Sequence, residues 1–580
     1  MDVTDRAGGE TSPGGAEPVA SPGRLSGRSL ALVAAFGLSI LLVNFGRPWA
    51  LTFHEVNFAE PAREFLRSGD WLVPRIMGKP LWDKPPLMHW AIAASMGVFG
   101  TEAEWAARLP AALSASATAL VVAVLAARWF GERAGVLAGL VQSTTVYAFM
   151  QGRLAEADMM LCAAVTAAMG CFAVASGAGG EPSPRRRRLW AVGYFAAAGL
   201  AFLAKGPIGP ALVAAGSGLF AAVERRSGPW RVLLDPVGWG VMLAIVVAWP
   251  AAAAWREPGL PETWWRHNVE RFSGRLSGGG KDPFFYLYTS AWLALPWTPI
   301  AALGAVACRR EGTRRRAGRL LGSWAVGMGL LLSLSAWKHK HYIIPALPPL
   351  SIWAAVGLER LVTSPLAARW SRLGYGLGAA ALGAVGLAAG VALTESGKGI
   401  EAAAALVAGL AGSGLALAAA LRRRGRPGAA LAAVFGAAWA SFVAVHSLAM
   451  PGFDDYRGQS DLARRIGGEL PEGADLSVVG VPDPQVSYYL PLPVQHHPDD
   501  RSLAERLAAL PPGSRPVFVV APRKILGDLK GLGGVRVLGE AATVHPRKGE
   551  EDRMIAVELR PDGGRIAGMV RGGGDSARNR

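Results

Sequence analysis

The chain is short of what a soluble protein of 580 residues needs. Only 18% of its residues are charged, against 51% that are apolar. That balance argues against a string of soluble domains. Three cysteines are present, Cys162, Cys171 and Cys308, all in or beside apolar runs. They are too few and too far from ligand spacing for a zinc site or a disulfide framework, and they read as small core residues. A cleavable leader is not evident: the first apolar run, 28–46, lacks a small-residue cleavage site and reads as a retained span. Acidic residues are scarce beside basic ones, 43 against 60, which gives a net charge of +17. Such an excess suits nucleic acid, but its distribution excludes that partner. The arginines cluster in short loops between apolar runs: Arg185 to Arg188, Arg225 and Arg226, Arg309 to Arg319, and Arg422 to Arg426. Loops of this kind mark the cytoplasmic side of a membrane protein.

Apolar runs of about 18–22 residues, rich in glycine and alanine, are present in number. Spans are expected at 28–46, 108–128, 134–151, 157–177, 189–204, 207–223, 234–254, 284–307, 319–336, 342–361, 372–393, 400–421 and 428–449. With the N-terminus inside, this alternation puts every arginine cluster on the cytoplasmic side. The fold class is an all-α polytopic membrane protein of about thirteen spans, with a small soluble α/β domain after them. Residues 1–27 read as a disordered cytoplasmic tail, 28–450 as the membrane domain, 453–562 as the extracytoplasmic α/β domain and 563–580 as a disordered tail. Two outer loops are long, 47–107 and 255–283. Within the first, 86–100 is apolar but short and reads as an interfacial or re-entrant helix. In the soluble domain, strands are expected at Leu476–Val481, Pro516–Val520 and Met554–Leu559, and helices at Asp461–Leu470 and Ser502–Leu510.

Ionisable groups at the outer edge carry the candidate chemistry. His54-Glu55 follows the first span: a carboxylate there could serve an acceptor hydroxyl as general base, or be one half of a solvated interfacial pair. Lys84, before Pro85-Pro86, offers a compact positive charge for a phosphate oxygen, or simply snorkels. Glu156 and Asp158 open an apolar run, where an acid also serves as a helix-dipole partner. Lys205-Gly206-Pro207 puts a lysine on the side poor in basic residues. Arg266 and Arg271 lie in an aromatic-rich stretch that includes His267, and could bind an anionic headgroup. Lys338 to Tyr342 forms a further basic cluster. Several histidines with Asp83 could hold a divalent ion, although no metal spacing motif is present.

These segments resemble a known family. His54-Glu55 through Ala62-Arg63-Glu64, then Ser68-Gly69-Asp70-Trp71, is similar to the first outer loop of bacterial aminoarabinose transferases and related protein O-mannosyltransferase-like enzymes. Lys84-Pro85-Pro86, Trp105 to Pro110, Lys205-Gly206-Pro207, Glu270-Arg271-Phe272 and Lys340 to Pro345 follow in the family's order across 28–361. The resemblance implies a GT-C glycosyltransferase of the bacterial inner membrane. Such an enzyme moves a sugar from a polyprenyl-phosphate donor, usually with inversion, to a lipid A-like lipid, a cell-envelope glycan or a protein. It implies the acid of the first loop, Glu55, at the catalytic centre, where the residues read above add Asp158 and His54 as candidates. It implies Lys84, Lys205, Arg271, Tyr342, Arg63 and Arg266 around the substrates. Asp83 and His267 are the expected pair if a metal binds; no cofactor is otherwise required. Where the family has Asp-Glu, this chain has His54-Glu55, so the base is Glu55, His54 or Asp158; Glu55 with Asp158 in support is favoured. The alternative function is a transporter or flippase for an anionic lipid-linked substrate, which should show internal repeats and interrupted spans that are not obvious here.

Overall fold

A backbone in hydrocarbon must satisfy its own hydrogen bonds, so apolar runs of this length close into helices. In a computed structural model of the chain they do. The structure describes residues 23–47, 49–76, 78–81, 84–259, 262, 281–309, 312–363, 399–449, 458–471, 473–480, 484–490, 494–511, 514–542, 553–562 and 566. Helix α1 spans Gly27–Leu41, and α2 (Phe53–Ser68) and α3 (Leu87–Phe99) fill the first long loop around a two-stranded ribbon, β1 (Arg75–Ile76) and β2 (Lys79–Pro80). Then come α4 (Glu104–Phe130), α5 (Glu132–Ser143), α6 (Val146–Gln151), α7 (Asp158–Ala175), α8 (Pro184–Lys205), α9 (Ile208–Glu224), α10 (Ser227–Leu233) and α11 (Pro236–Arg256). After the second long loop follow α12 (Phe285–Leu293), α13 (Thr298–Ala307), α14 (Gly312–Ser333), a 3-10 turn (Lys340–Ala346), α15 (Pro348–Thr363), α16 (Gly399–Arg423) and α17 (Pro427–Ala444).

Among the described residues, five helices are long and apolar enough to cross a bilayer, and seven if each of two bent pairs is one span. The expected run 372–393 lies outside the described residues. The expected straight span 284–307 is broken: α12 and α13 meet at 103°. Pro296 and Pro299 supply no backbone donors there, which favours a break. The 3-10 turn and α15 meet at 61°, next to Pro345, Pro348 and Pro349. Helix α3 is about 20 Å long, too short to span. Its Met88, Ile92 and Met96 are buried with Phe58 and Phe65 of α2. Close crossings use glycine where a side chain would not fit: a Cβ on Gly304 of α13 would collide with the Trp353 carbonyl of α15, and one on Gly357 with that of Ile300.

The bundle has two chemically distinct ends. At one, Glu224 at the end of α9 sits between Arg316 (2.9 Å) and Arg319 (2.8 Å) of α14, while Arg316 also donates to the carbonyls of Ser176 and Gly177 after α7. Helix α17 runs alongside α1 in the same direction, with Phe36 against Phe435, Trp439 donating to Ser39 and Asn44 donating to Ser447. This direction carries Arg422 to Arg426 to the arginine-rich end with the N-terminus of α1. At the other end lie the first long loop and the C-terminal domain. From Arg108 to Arg128, α4 rises about 30 Å, the thickness of a hydrocarbon core.

The C-terminal domain opens with α18 (Gly458–Glu469). It is a five-stranded sheet in the order β4 (Gln495–His497), β3 (Asp475–Val479), β5 (Val517–Pro522), β7 (Arg553–Pro561), β6 (Gly533–Ala542). Strand β3 is parallel to β4 and β5, and β7 is antiparallel to β5 and β6. Helices α19 (Pro484–Tyr489), α20 (Asp500–Ala508) and α21 (Leu526–Gly531) complete it. Tyr488 and Tyr489 seat it on the bundle. The Tyr489 hydroxyl donates to Glu104 (3.0 Å) and accepts from the Leu51 amide (2.7 Å). Arg464 pairs with Glu104, and Ser460 donates to the Leu51 carbonyl.

Candidate functional site

Glu55 is the third residue of α2. The Thr52 side chain accepts from its amide, and its carboxylate accepts from the Thr52 amide at 2.9 Å, a reciprocal cap. The same carboxylate reaches across the fold. It accepts from Arg108 Nε at 2.7 Å and Nη2 at 3.1 Å, and from the Ala155 amide at 3.1 Å. Arg108 in turn donates to the carbonyls of Trp49 and Ala50. Glu55 is 0% exposed and Arg108 5%. The acid therefore pins the start of α2, the first turns of α4 and the loop before α7 to one another. A carboxylate has about four acceptor positions, and these four donors occupy them.

Just beyond that loop lies a second pair. Lys205 Nζ is 2.5 Å from Asp158 Oδ1 and 4.8 Å from the centre of the Tyr342 ring. Sequence explains the meeting: Lys205 ends α8, Gly206 takes a positive φ of 77° that L side chains rarely adopt, and Pro207 is the N-cap of α9. Asp158 begins α7, so both charges sit at the same edge. Glu156 stands between the two pairs. Burial pushes its carboxyl up to about 8, helped by the negative charges of Asp158 and Glu55 and opposed by Lys205 and Lys84. Lys84 acts on both Glu156 and Asp158. His341 acts on Asp158, and the exposed His54 is near enough to act on His341. His341 also packs on the Tyr342 ring at 4.9 Å.

Of the residues expected from sequence, Glu55, His54, Asp158, Lys84, Lys205 and Tyr342 come together at this edge. Arg63 lies apart from this cluster. It pairs with Glu60, donates to the Tyr488 carbonyl at 2.8 Å and lies over the Tyr488 ring at 4.2 Å. Its charge therefore holds the C-terminal domain. Asp83, Arg266, His267 and Arg271 lie outside the described residues. Among the described residues no three His, Cys, Asp or Glu side chains cluster as metal ligands. Two residues deserve more weight than sequence reasoning gave them. Arg108 stood in the Trp105 to Pro110 motif, but its pairing with an acid 53 positions away left no local signal. Glu156 stood beside Asp158, and only folding surrounds it with two other acids.

The helical bundle, the charged cluster at one of its ends and the docked α/β domain make up a mostly helical membrane protein. Residues 83–255 match the family described as dolichyl-phosphate-mannose-protein mannosyltransferase. An undecaprenyl phosphate-alpha-4-amino-4-deoxy-L-arabinose arabinosyl transferase of Edwardsiella ictaluri is 32% identical over 320 residues, 53% of this chain and 55% of that protein. One from Enterobacter is 30% identical over 350 residues, 58% of this chain and 60% of that protein. The chain thus matches little more than half the length of these curated relatives. Among solved structures, ArnT from Cupriavidus metallidurans bound to undecaprenyl phosphate superposes with a TM-score of 0.77 at 25% identity, over 92% of this chain and 99% of that one. The archaeal oligosaccharyltransferase AglB from Archaeoglobus fulgidus shares the fold at a TM-score of 0.50 and 12% identity, over 86% of this chain and 69% of that one. In sequence and fold the chain is similar to GT-C glycosyltransferases.

Proposed function

We propose that this protein is an inner-membrane glycosyltransferase that moves a sugar from a polyprenyl-phosphate donor to an acceptor on the extracytoplasmic face. The acceptor class is a lipid A-like lipid, a cell-envelope glycan or a protein. In this reading the arginine-rich end and the N-terminus are cytoplasmic, about thirteen spans cross the bilayer, and the α/β domain is extracytoplasmic. The observation that carries it is the meeting of Lys84, Lys205 and Tyr342 with Asp158 and Glu156 at one edge of the bundle. Cations suit the donor phosphate, and an acid suits the acceptor.

The step is a displacement at the anomeric carbon. The acceptor oxygen forms a bond to that carbon, the bond from carbon to the phosphate oxygen breaks, and polyprenyl phosphate leaves with the electron pair. Lys84 and Lys205 hold the departing phosphate, with Arg271 from the second long loop. The acceptor proton passes to Glu156, whose raised pKa, near 8, matches a proton acceptor working close to neutrality. Asp158 orients Lys205. Glu55, with its acceptor positions filled, positions the loop that carries Glu156 and Asp158. The step balances without a cofactor.

The test is incubation of the purified protein with labelled polyprenyl-phosphate sugars and membrane acceptors, followed by mass spectrometry. A labelled acceptor and free polyprenyl phosphate are expected from the wild type and not from Lys205→Met. Labelled product made equally by both proteins would refute the proposal.

A further inference from the structure

The arginine-rich end holds a cavity that the transfer reaction does not use. It measures about 390 Å³ and is lined by Arg24, Arg128 and Arg186 with Gly180, Glu181 and Ser183. Three separate segments bring the arginines together. Arg24 is set by the chain before α1: the Ser26 amide and the Ser29 hydroxyl donate to Glu132, at 2.9 and 2.7 Å, and Gly23 packs so tightly on the end of α4 that a Cβ would strike the Ala127 carbonyl. Arg128 comes from the last turn of α4 and Arg186 from the first turn of α8.

The charges are unbalanced. None of the three arginines has an ion-pair partner among the described residues. The Nε of Arg128 is buried without a hydrogen-bond acceptor. Arg186 lies close enough to Arg128 for the two like charges to act on each other. The one carboxylate in the wall, Glu181, is bonded to Arg187 at 2.8 Å and lies 3.9 Å from Arg316, so its charge is shared with cations outside the cavity. Ser183 caps α8 without a side-chain hydrogen bond, which leaves the positive end of a 22-residue helix facing the same space. The buried Arg128 donor is costly without an acceptor, and three like charges around one cavity attract an anion.

The apolar surface next to the cavity indicates what carries that anion. Leu189 is three residues along α8 from Arg186 and 68% exposed, and Val124 is four residues back along α4 from Arg128 and 49% exposed. Each therefore shares a helix face with its arginine, one turn toward the membrane centre. From this arrangement we propose that the cavity binds the phosphodiester headgroup of an anionic phospholipid, with acyl chains along Val124 and Leu189, and that the lipid clips the N-terminal segment to α4 and α8.

The experiment is native mass spectrometry of the full chain with phosphatidylglycerol, with phosphatidylcholine, and with phosphatidylglycerol plus excess inorganic phosphate. The wild type should retain one phosphatidylglycerol in preference to phosphatidylcholine. At about fivefold in affinity per arginine, Arg24→Gln should lose about fivefold and Arg24→Gln with Arg186→Gln about twenty-five-fold. Arg24 is exposed in a loop, so the single variant tests the site even if the double variant folds poorly. Arg424→Gln with Arg426→Gln removes the same surface charge away from the cavity and should retain the lipid. Displacement by inorganic phosphate with no lipid retention would overturn the lipid as occupant. Equal retention by wild type and Arg24→Gln, or equal loss in the Arg424 and Arg426 control, would overturn the site.

Discussion

Substitution of Glu55 separates two roles that a simple loss of activity would confuse. Glu55→Gln keeps an oxygen for the Thr52 or Ala155 amide but leaves the Arg108 guanidinium without its counter-charge, at 5% exposure. Removing one partner of a buried ion pair costs about 3–5 kcal/mol. Most of that cost is the unpaired cation. Glu55→Gln with Arg108→Gln should therefore be more stable than Glu55→Gln alone, by about 2 kcal/mol or more, as a non-additive double-mutant cycle. The assay is thermal unfolding of the detergent-purified proteins, with transfer rates measured below the lowest transition. If Glu55 positions the loop before α7, activity should recover in the double variant along with stability. Recovery of stability with transfer still abolished would refute the positioning role and return Glu55 to the place of the base. Additive losses would refute the reasoning about the buried cation.

Glu156→Gln should lower transfer by about a hundredfold or more and remove the rise in rate as pH increases through about 8. The same variant tests a stability linkage. Burial raises Glu156 from 4.5 to about 8, so its contribution to stability is complete below about 4.5 and is lost as pH rises through about 8. Melting temperatures across pH 5–9 should fall with pH more steeply for the wild type than for Glu156→Gln. Lys205→Met should abolish donor binding and destabilise by about 3–5 kcal/mol, because Asp158 loses its partner; Lys205→Met with Asp158→Asn should regain the stability without the binding. Tyr489→Phe removes one hydrogen bond to Glu104 and one from Leu51, and should raise protease sensitivity of the C-terminal domain as its docking weakens by about 1–3 kcal/mol.

Length and apolarity were enough to find most helices, since hydrocarbon leaves the backbone few options. They could not show that 284–307 bends by 103°, because two short apolar helices and one long one share a composition. In the soluble domain, β3, β5 and β7 were legible as apolar runs buried on the sheet. Strands β4 and β6 were not. The first has three residues, and the second is an edge strand with Gly533, Gly534 and Gly539, which reads as a loop. At the site, charges at the ends of apolar runs named Lys84, Asp158 and Lys205 correctly as neighbours. The partner of each was not legible, because pairing depends on which helix ends share an edge. Arg63 shows the converse: its motif suggested substrate, and its surroundings gave it to the Tyr488 ring.

In the proposed function, the cluster of Lys84, Lys205 and Tyr342 holds the donor phosphate. Cryo-electron microscopy of the purified protein with undecaprenyl phosphate tests it most directly. The account predicts phosphate density within hydrogen-bonding reach of Lys84 and Lys205, beside the Tyr342 ring, with the Asp158 contact to Lys205 lengthened. Density at the arginine-rich end instead, with the Lys205–Asp158 pair undisturbed, would contradict it.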